Sequence, residues 1–133
     1  MRSPERVRVI AAVIERDGRW LVGRRPVEKR HGGLWEFPGG KLLDGESLLA
    51  AAQRELAEEL SMRATGIGRT LFTRRDGDSP FVIEFVEVLA DGVAVPHEHE
   101  EVGWFTPAEL RDLPMAPADA EFASTLDRSR PAY

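Results

Sequence analysis

GKLLDGESLLAAAQRELAEELSM, running from Gly40 to Met62, sets Glu55, Glu58 and Glu59 at helical spacings of three and four residues. From Leu48 to Leu60 the stretch holds only strong helix formers, and Ser47 stands where its hydroxyl caps the first turn. A helix over Leu48 to Leu60 is therefore predicted. Leu49, Ala52, Leu56 and Leu60 share one side of it, with the glutamates at the edge of that apolar stripe, where the helix meets the protein body. Like charges stacked on one helical face repel by about 0.2–0.5 kcal/mol per pair unless a cation lies among them. Oxygen-only donors, with no cysteine in the chain and no histidine in the cluster, suit magnesium or manganese better than zinc or copper. The pattern points to metal-assisted chemistry on a phosphate substrate.

Strand signals lie on both sides of this helix. Val7 to Glu15 is rich in β-branched and small apolar residues, Asp17-Gly18 is a hairpin turn signal, and Trp20 to Gly23 resumes the apolar run. Arg24 to Gly45 carries Pro26, Gly32-Gly33, Pro38-Gly39-Gly40 and Asp44-Gly45, and reads as loop with one short strand at Leu34 to Phe37. Gly68 to Arg75 and Phe81 to Leu89 are expected strands, and Val102 to Phe105 a shorter one. Thr106-Pro107-Ala108-Glu109 is a capping box with proline at the first helical position, opening a short helix to Leu113. A last helix is expected near Ala118 to Arg128, with Phe122 and Leu126 toward the core. Trp20, Trp35 and Trp104 read as core or pocket wall. No repeat or linker divides the sequence, so one α/β domain over residues 1–133 is expected.

Bulk properties narrow the function classes. At 133 residues, 42% hydrophobic and 31% charged, the chain is globular and long enough for a real core. Its net charge of −5 argues against stable binding to a nucleic-acid backbone, yet leaves room for a nucleotide held by a few arginines and a cation. Disulfides and thiolate catalysis are excluded by the lack of cysteine, and the N-terminus MRSPERVRV has no apolar stretch fit for a signal peptide or a membrane span. The expectation is a cytoplasmic protein without membrane contact, as monomer or homodimer.

Gly40, five residues, Glu46, seven residues, Arg54-Glu55-Leu56, one residue and Glu58-Glu59 together resemble the Nudix box of the Nudix hydrolases, occupying residues 40–62. Flanking segments are similar to the MutT-type branch: GRRP before the loop, LWEFPGGK entering the box, Trp104, and PAD at the final helix. The resemblance runs from about Val7 to Leu126. It implies the Nudix fold, an α/β/α sandwich with a mixed central β-sheet, and hydrolysis of a nucleoside diphosphate linked to another moiety with Mg²⁺, or Mn²⁺ in its place. One position departs from the family pattern: Ser61 stands where the motif has glycine, and a serine there must adopt αL at a cost of ~1 kcal/mol.

Carried over by position, the resemblance implies that Glu55, Glu58, Glu59 and the carbonyl of Gly39 are metal ligands, and that Arg54 orients a carboxylate with Glu46. Glu98, six residues before Trp104, matches a loop carboxylate that completes the metal site or handles the water, with Glu100 and Glu101 as rivals. The general base lies among Glu55, Glu59 and Glu98. Arg25 and Lys41 resemble phosphate or nucleotide contacts, and Phe37 offers a base apolar surface and backbone groups. His97 and His99 read as ordinary loop residues.

Two roles are open to Asp119: contact with the base, and N-terminal cap of the last helix. Guanine-oxidation sanitisers of this branch carry asparagine there, able to donate and accept. An ionised aspartate only accepts, favouring an exposed amino group as on cytosine, unless the carboxyl is protonated. The expected activity is hydrolysis of (deoxy)nucleoside triphosphates to monophosphate and pyrophosphate, sanitising oxidised or modified nucleotides such as 8-oxo-dGTP. The alternatives are a CTP or modified-dCTP pyrophosphohydrolase and, in a different class, a catalytically silent base-binding module, against which the stacked glutamates argue.

Overall fold

The apolar run at the start of the chain forms strand β1 (Val7–Val13), around which the other elements are arranged. In the computed structural model, which describes residues 6–126, β1 pairs antiparallel with β5 (Gly39–Lys41) on one side and parallel with β7 (Phe81–Asp91) on the other. Strand β6 (Arg63–Arg75) completes this mixed sheet in the order β5-β1-β7-β6. A second, antiparallel sheet is built on β3 (Arg19–Arg24), which pairs with β2 (Glu15–Arg16), β4 (Trp35–Glu36) and β8 (Glu101–Phe105).

Because side chains alternate along a strand, β1 divides the core into two layers. Ile10 and Ala12, with Ile14 just beyond, pack with Ala52, Leu56 and Leu60 of α1 (Leu48–Leu60). Ala11 and Val13 face the other way, toward Leu110 of α2 (Pro107–Asp112) and Phe122 of α3 (Pro117–Ala123). Helices thus cover both faces of the mixed sheet, the expected α/β/α arrangement. Trp35 is buried, while Trp20 and Trp104 are half-buried against the two layers.

The box helix has the expected ends. Ser47 Oγ accepts from the Ala50 amide at 3.0 Å, and Ser61 closes the helix in the left-handed region at φ 55° and ψ 31°. Thr106 and Glu109 exchange the two bonds of the capping box, at 3.2 and 2.8 Å.

Three boundaries differ from expectation, each for a local reason. Gly39-Gly40-Lys41, read as loop, is a strand: a Cβ on Gly39 would lie 1.8 Å from the Ile10 carbonyl oxygen, so glycine is what allows this close pairing with β1. Strand β6 starts at Arg63 rather than Gly68, and its register shifts three times against β7, irregularities that its glycines mask in a propensity reading. Helix α3 ends at Ala123, where Ser124 Oγ and Thr125 Oγ1 donate to the carbonyls of Glu121 and Phe122 at 2.6 and 2.7 Å. The expected end at Arg128 lies outside the described residues. Among those residues no helix is long and apolar enough to cross a membrane.

Candidate functional site

Helix α1 brings Glu55 and Glu59 to a cavity of about 200 Å³ that Gly39, Glu98, Glu36, His99, Arg25 and Lys29 also line. Glu59 is 4% exposed, and its Oε2 is buried with no hydrogen-bond partner among the described residues. Burial first, then the bond to Glu55 and the charges of Glu55, Glu98 and Glu36, push the Glu59 carboxyl up to about 10. Gly40 makes room for its neighbour, since a Cβ there would sit 2.6 Å from the Glu55 carboxyl atoms. A buried orphan oxygen, a carboxyl held uncharged by surrounding carboxylates and an oxygen donor set together fit a hard divalent cation. Among the described residues no three carboxylates or imidazoles close around a single point, so this is a cation-favouring pocket rather than a formed cage. Glu58 is not part of its wall: that side chain is 57% exposed and lies 3.9 Å from Arg54.

The second feature of the box is an arginine clamp. Arg54 Nε and Nη2 donate to the two oxygens of Glu46 at 2.9 and 2.8 Å, Nη1 donates to Glu55 at 2.6 Å, and Nη2 reaches the Lys41 carbonyl at 2.9 Å. The guanidinium, followed by the Leu43 amide, holds the Glu46 carboxyl down at about 2. Helix α1 and the segment that joins it to β5 are tied together by this bidentate pair, while the guanidinium also aims Glu55.

Of the three loop carboxylates considered from sequence, Glu98 lines the cavity, whereas Glu100 and Glu101 are turned to Arg24 at 2.9 and 3.4 Å. Sequence reading missed Glu36 and His99. Glu36 alternates with Trp35 and Phe37, whose buried side chains turn it to the opposite face, and that alternation was the available signal. Both its oxygens accept from Arg25 Nη1 at 3.1 Å, and Oε2 also bonds His99 Nε2 at 3.0 Å.

Next to this cavity lies another of about 220 Å³, sharing Arg25 and Glu36 and lined further by Gly40, Lys41, Phe81 and Asp119. Asp119 is buried, and Oδ2 accepts from the Phe37 amide at 2.9 Å. Burial, opposed by that amide and reinforced by the charges of Glu36 and Asp76, raises its carboxyl to about 8. The capping role is excluded by geometry: Ala116 is the N-cap of α3, and Asp119 sits inside the first turn with its side chain directed at Phe37. For Phe37 the expected apolar surface is not offered to the cavity, because its ring is 3% exposed and packs edge-on against Phe85 and Phe122. Lys41 is exposed, with Nζ 4.9 Å from the centre of the Phe81 ring.

A larger cavity, about 550 Å³, lies between β6, β7 and the end of α3. Its chemistry is poor: Arg69 and Glu87 in its wall pair with each other at 3.5 Å.

Comparison with known proteins agrees with this geometry. The NUDIX domain model matches residues 4–126. The CTP pyrophosphohydrolase of Escherichia coli K12 is 39% identical over 132 residues, covering 95% of this chain and 97% of the relative. A putative 8-oxo-dGTP diphosphatase 2 of Mycobacterium tuberculosis H37Rv is 34% identical over 131 residues, covering 91% of each. Among solved structures, the E. coli ORF135 protein superimposes with a TM-score of 0.76 at 37% identity, over 90% of this chain and 86% of that one. A MutT structure from work on Aliivibrio salmonicida and Vibrio cholerae gives 0.75 at 30% identity, over 90% and 94%. The chain belongs to the Nudix hydrolases, a family that uses divalent cations, and it is an enzyme of the MutT-like kind that hydrolyses nucleotide pyrophosphate bonds.

Proposed function

We propose that this enzyme hydrolyses (deoxy)nucleoside triphosphates to nucleoside monophosphate and pyrophosphate with Mg²⁺, Mn²⁺ serving as substitute, and that it clears oxidised or modified nucleotides such as 8-oxo-dGTP. The observation that carries this reading is the pair of adjoining cavities with Arg25 and Glu36 in their common wall, one bearing Glu55, Glu59 and Glu98, the other Asp119. Phosphates and base of one nucleotide match that division.

When bound, the divalent ion neutralises phosphate oxygens and acidifies a water. Glu55, Glu59, Glu98 and the Gly39 carbonyl are the groups that would hold it, with Glu58 contributing from its exposed position. Arg54 keeps Glu55 aimed and Glu46 keeps Arg54 in place. Arg25 and Lys41 supply positive charge to the phosphates away from the cation. Phe37 acts through its amide, which fixes the orientation of Asp119 and leaves the other carboxyl oxygen to the base. Burial raises the Asp119 carboxyl and so favours its neutral form, which both donates and accepts, as an asparagine would.

The test is a panel of nucleotides with Mg²⁺, analysed for pyrophosphate against orthophosphate. Pyrophosphate release from 8-oxo-dGTP is expected; no turnover on any triphosphate, or a preference for ADP-ribose, would overturn the proposal. A second reading, CTP or a modified dCTP as substrate, draws on the E. coli relative named for CTP pyrophosphohydrolysis. Asp119→Asn discriminates between them: an amide stands in for a neutral carboxyl, so preference for 8-oxo-dGTP should be kept, whereas a preference for cytosine read by an ionised carboxylate should be lost, kcat being little altered in both cases. Unchanged selectivity in Asp119→Ala would remove Asp119 from the base site.

A further inference from the structure

Gly23, Glu36 and His99 are far apart in sequence and meet beside the glutamate cavity. The His99 side chain is 4% exposed, and its Nε2 lies 3.0 Å from Glu36 Oε2. Its ring rests on the backbone of β3, where a Cβ on Gly23 would come within 2.6 Å of the imidazole Cγ and Cδ2. Gly23 and Glu36 are register partners across β3 and β4, so the ring spans the pair. Glu36 is in turn gripped by Arg25. The imidazole is therefore anchored to a rigid part of the sheet.

Nothing in this arrangement is needed for packing alone. His99 Nδ1 is buried without a partner among the described residues, an unfavourable situation that an apolar side chain of similar size would avoid. What the imidazole supplies is direction. The loop holding Glu98 is tied by its backbone at two points, His97 N to the Glu59 carbonyl and Glu100 N to the Arg24 carbonyl, each 2.9 Å. Glu98 sits between those ties, and the side chain next to it is the one sunk into the sheet.

We propose that His99 is a positioning residue: seated on Gly23 and bonded to Glu36, it fixes the loop so that Glu98 faces Glu55 and Glu59 across the cavity. This rests on the proposed reaction, in which Glu98 serves the cation or the water. His99 acts through Glu98 and not on the substrate or the ion.

The experiment compares His99→Ala, His99→Asn and His99→Gln in the full chain, measuring kcat, KM and Mn²⁺ affinity by calorimetric titration. His99→Ala should lower kcat about 10- to 100-fold and weaken Mn²⁺ binding, with KM for the triphosphate nearly unchanged. Glutamine, whose amide nitrogen reaches as far as Nε2, should restore most of both losses; asparagine, which falls short of Glu36, should not, and it replaces alanine if that variant does not fold. In a Glu98→Gln background His99→Ala should cause no further loss of kcat. Wild-type kcat and Mn²⁺ affinity in the alanine or asparagine variant would overturn the proposal, since the backbone ties would then suffice. Additive losses with Glu98→Gln would also overturn it. A wild-type enzyme that releases no pyrophosphate would sink the proposed reaction instead, and the Mn²⁺ titrations would still decide the role of His99.

Discussion

Glu46 and Glu59 belong to one sequence motif and have opposite environments. Glu46 accepts two bonds from Arg54 and one from the Leu43 amide, and its carboxyl is held down at about 2. Glu59 is buried beside Glu55, Glu98 and Glu36 with an oxygen unpartnered, and its carboxyl is pushed up to about 10. The protein supplies the counter-charge for one and omits it for the other. A carboxylate with its own arginine is part of the framework, whereas one packed among like charges is matched to a cation from outside.

The sharpest way to break this contrast is Glu59→Gln. If Glu59 is a ligand, losing one charged oxygen donor removes several kcal/mol of stabilisation from the transition state, so turnover should fall by about 10³-fold or more. The metal-free protein should not suffer. A carboxyl whose folded value is raised contributes stability fully present below its ordinary value of 4.5 and lost as pH rises toward about 10. Between those limits the wild type should therefore lose thermal stability with pH more steeply than Glu59→Gln, and Mg²⁺ should raise the melting temperature of the wild type far more than that of the variant. Near-normal turnover, or parallel melting curves, would contradict the assignment.

Disturbing the framework carboxylate should have a smaller effect of another kind. Arg54→Ala removes the guanidinium from Glu46 and Glu55 and leaves Glu46 only the Leu43 amide, and the expected loss in kcat is about 10- to 100-fold, the range for residues that orient metal ligands. Glu46→Gln has an acid signature with the reverse sign. Its lowered carboxyl contributes stability present above the ordinary value of 4.5 and lost as pH falls toward about 2. The gap in melting temperature between wild type and variant should be widest near neutrality and should close on acidification. A gap that widens toward acid would reverse the sign and refute the clamp.

How far this contrast was legible in the sequence depends on range. The stacked glutamates, the Ser47 cap and the Thr106 box are written in neighbours a few residues apart, and short-range chemistry reads them directly; the left-handed Ser61 followed from the glycine that the family motif has there. Arg54 with Glu46 was accessible because their spacing is part of the motif. Glu36 and His99 were not: their meaning lies in a contact across 63 residues that exists only once β3, β4 and the loop before β8 are assembled. Asp119 was singled out as a base contact or a helix cap; its partner Phe37 is 82 residues away, and only the folded chain shows that an amide, not a helix end, orients it. Glu58 shows the opposite limit: helical spacing groups it with Glu55 and Glu59, and only the folded chain shows that its side chain is more exposed than theirs and lies beside Arg54.

The smallest effect sits at the end of the same helix, two residues beyond Glu59. Ser61 holds φ 55°, and its hydroxyl lies 2.5 Å from His97 Nε2 on the loop that leads to Glu98. Two terms compete there. Left-handed backbone costs a non-glycine residue about 1 kcal/mol, while an exposed hydrogen bond returns about 0.5–1.5 kcal/mol. Ser61→Ala keeps the strain and loses the bond, so it should destabilise by about 0.5–1.5 kcal/mol. Ser61→Gly loses the bond and relieves the strain, so its net change should stay within about 0.5 kcal/mol. Urea unfolding of both variants isolates the strain as their difference. If the environment of Glu59 is set by its neighbouring carboxylates rather than by the helix end, both variants should turn over at the wild-type rate. A turnover that falls with stability would mean that the helix end, through His97, also holds the glutamate cavity in shape.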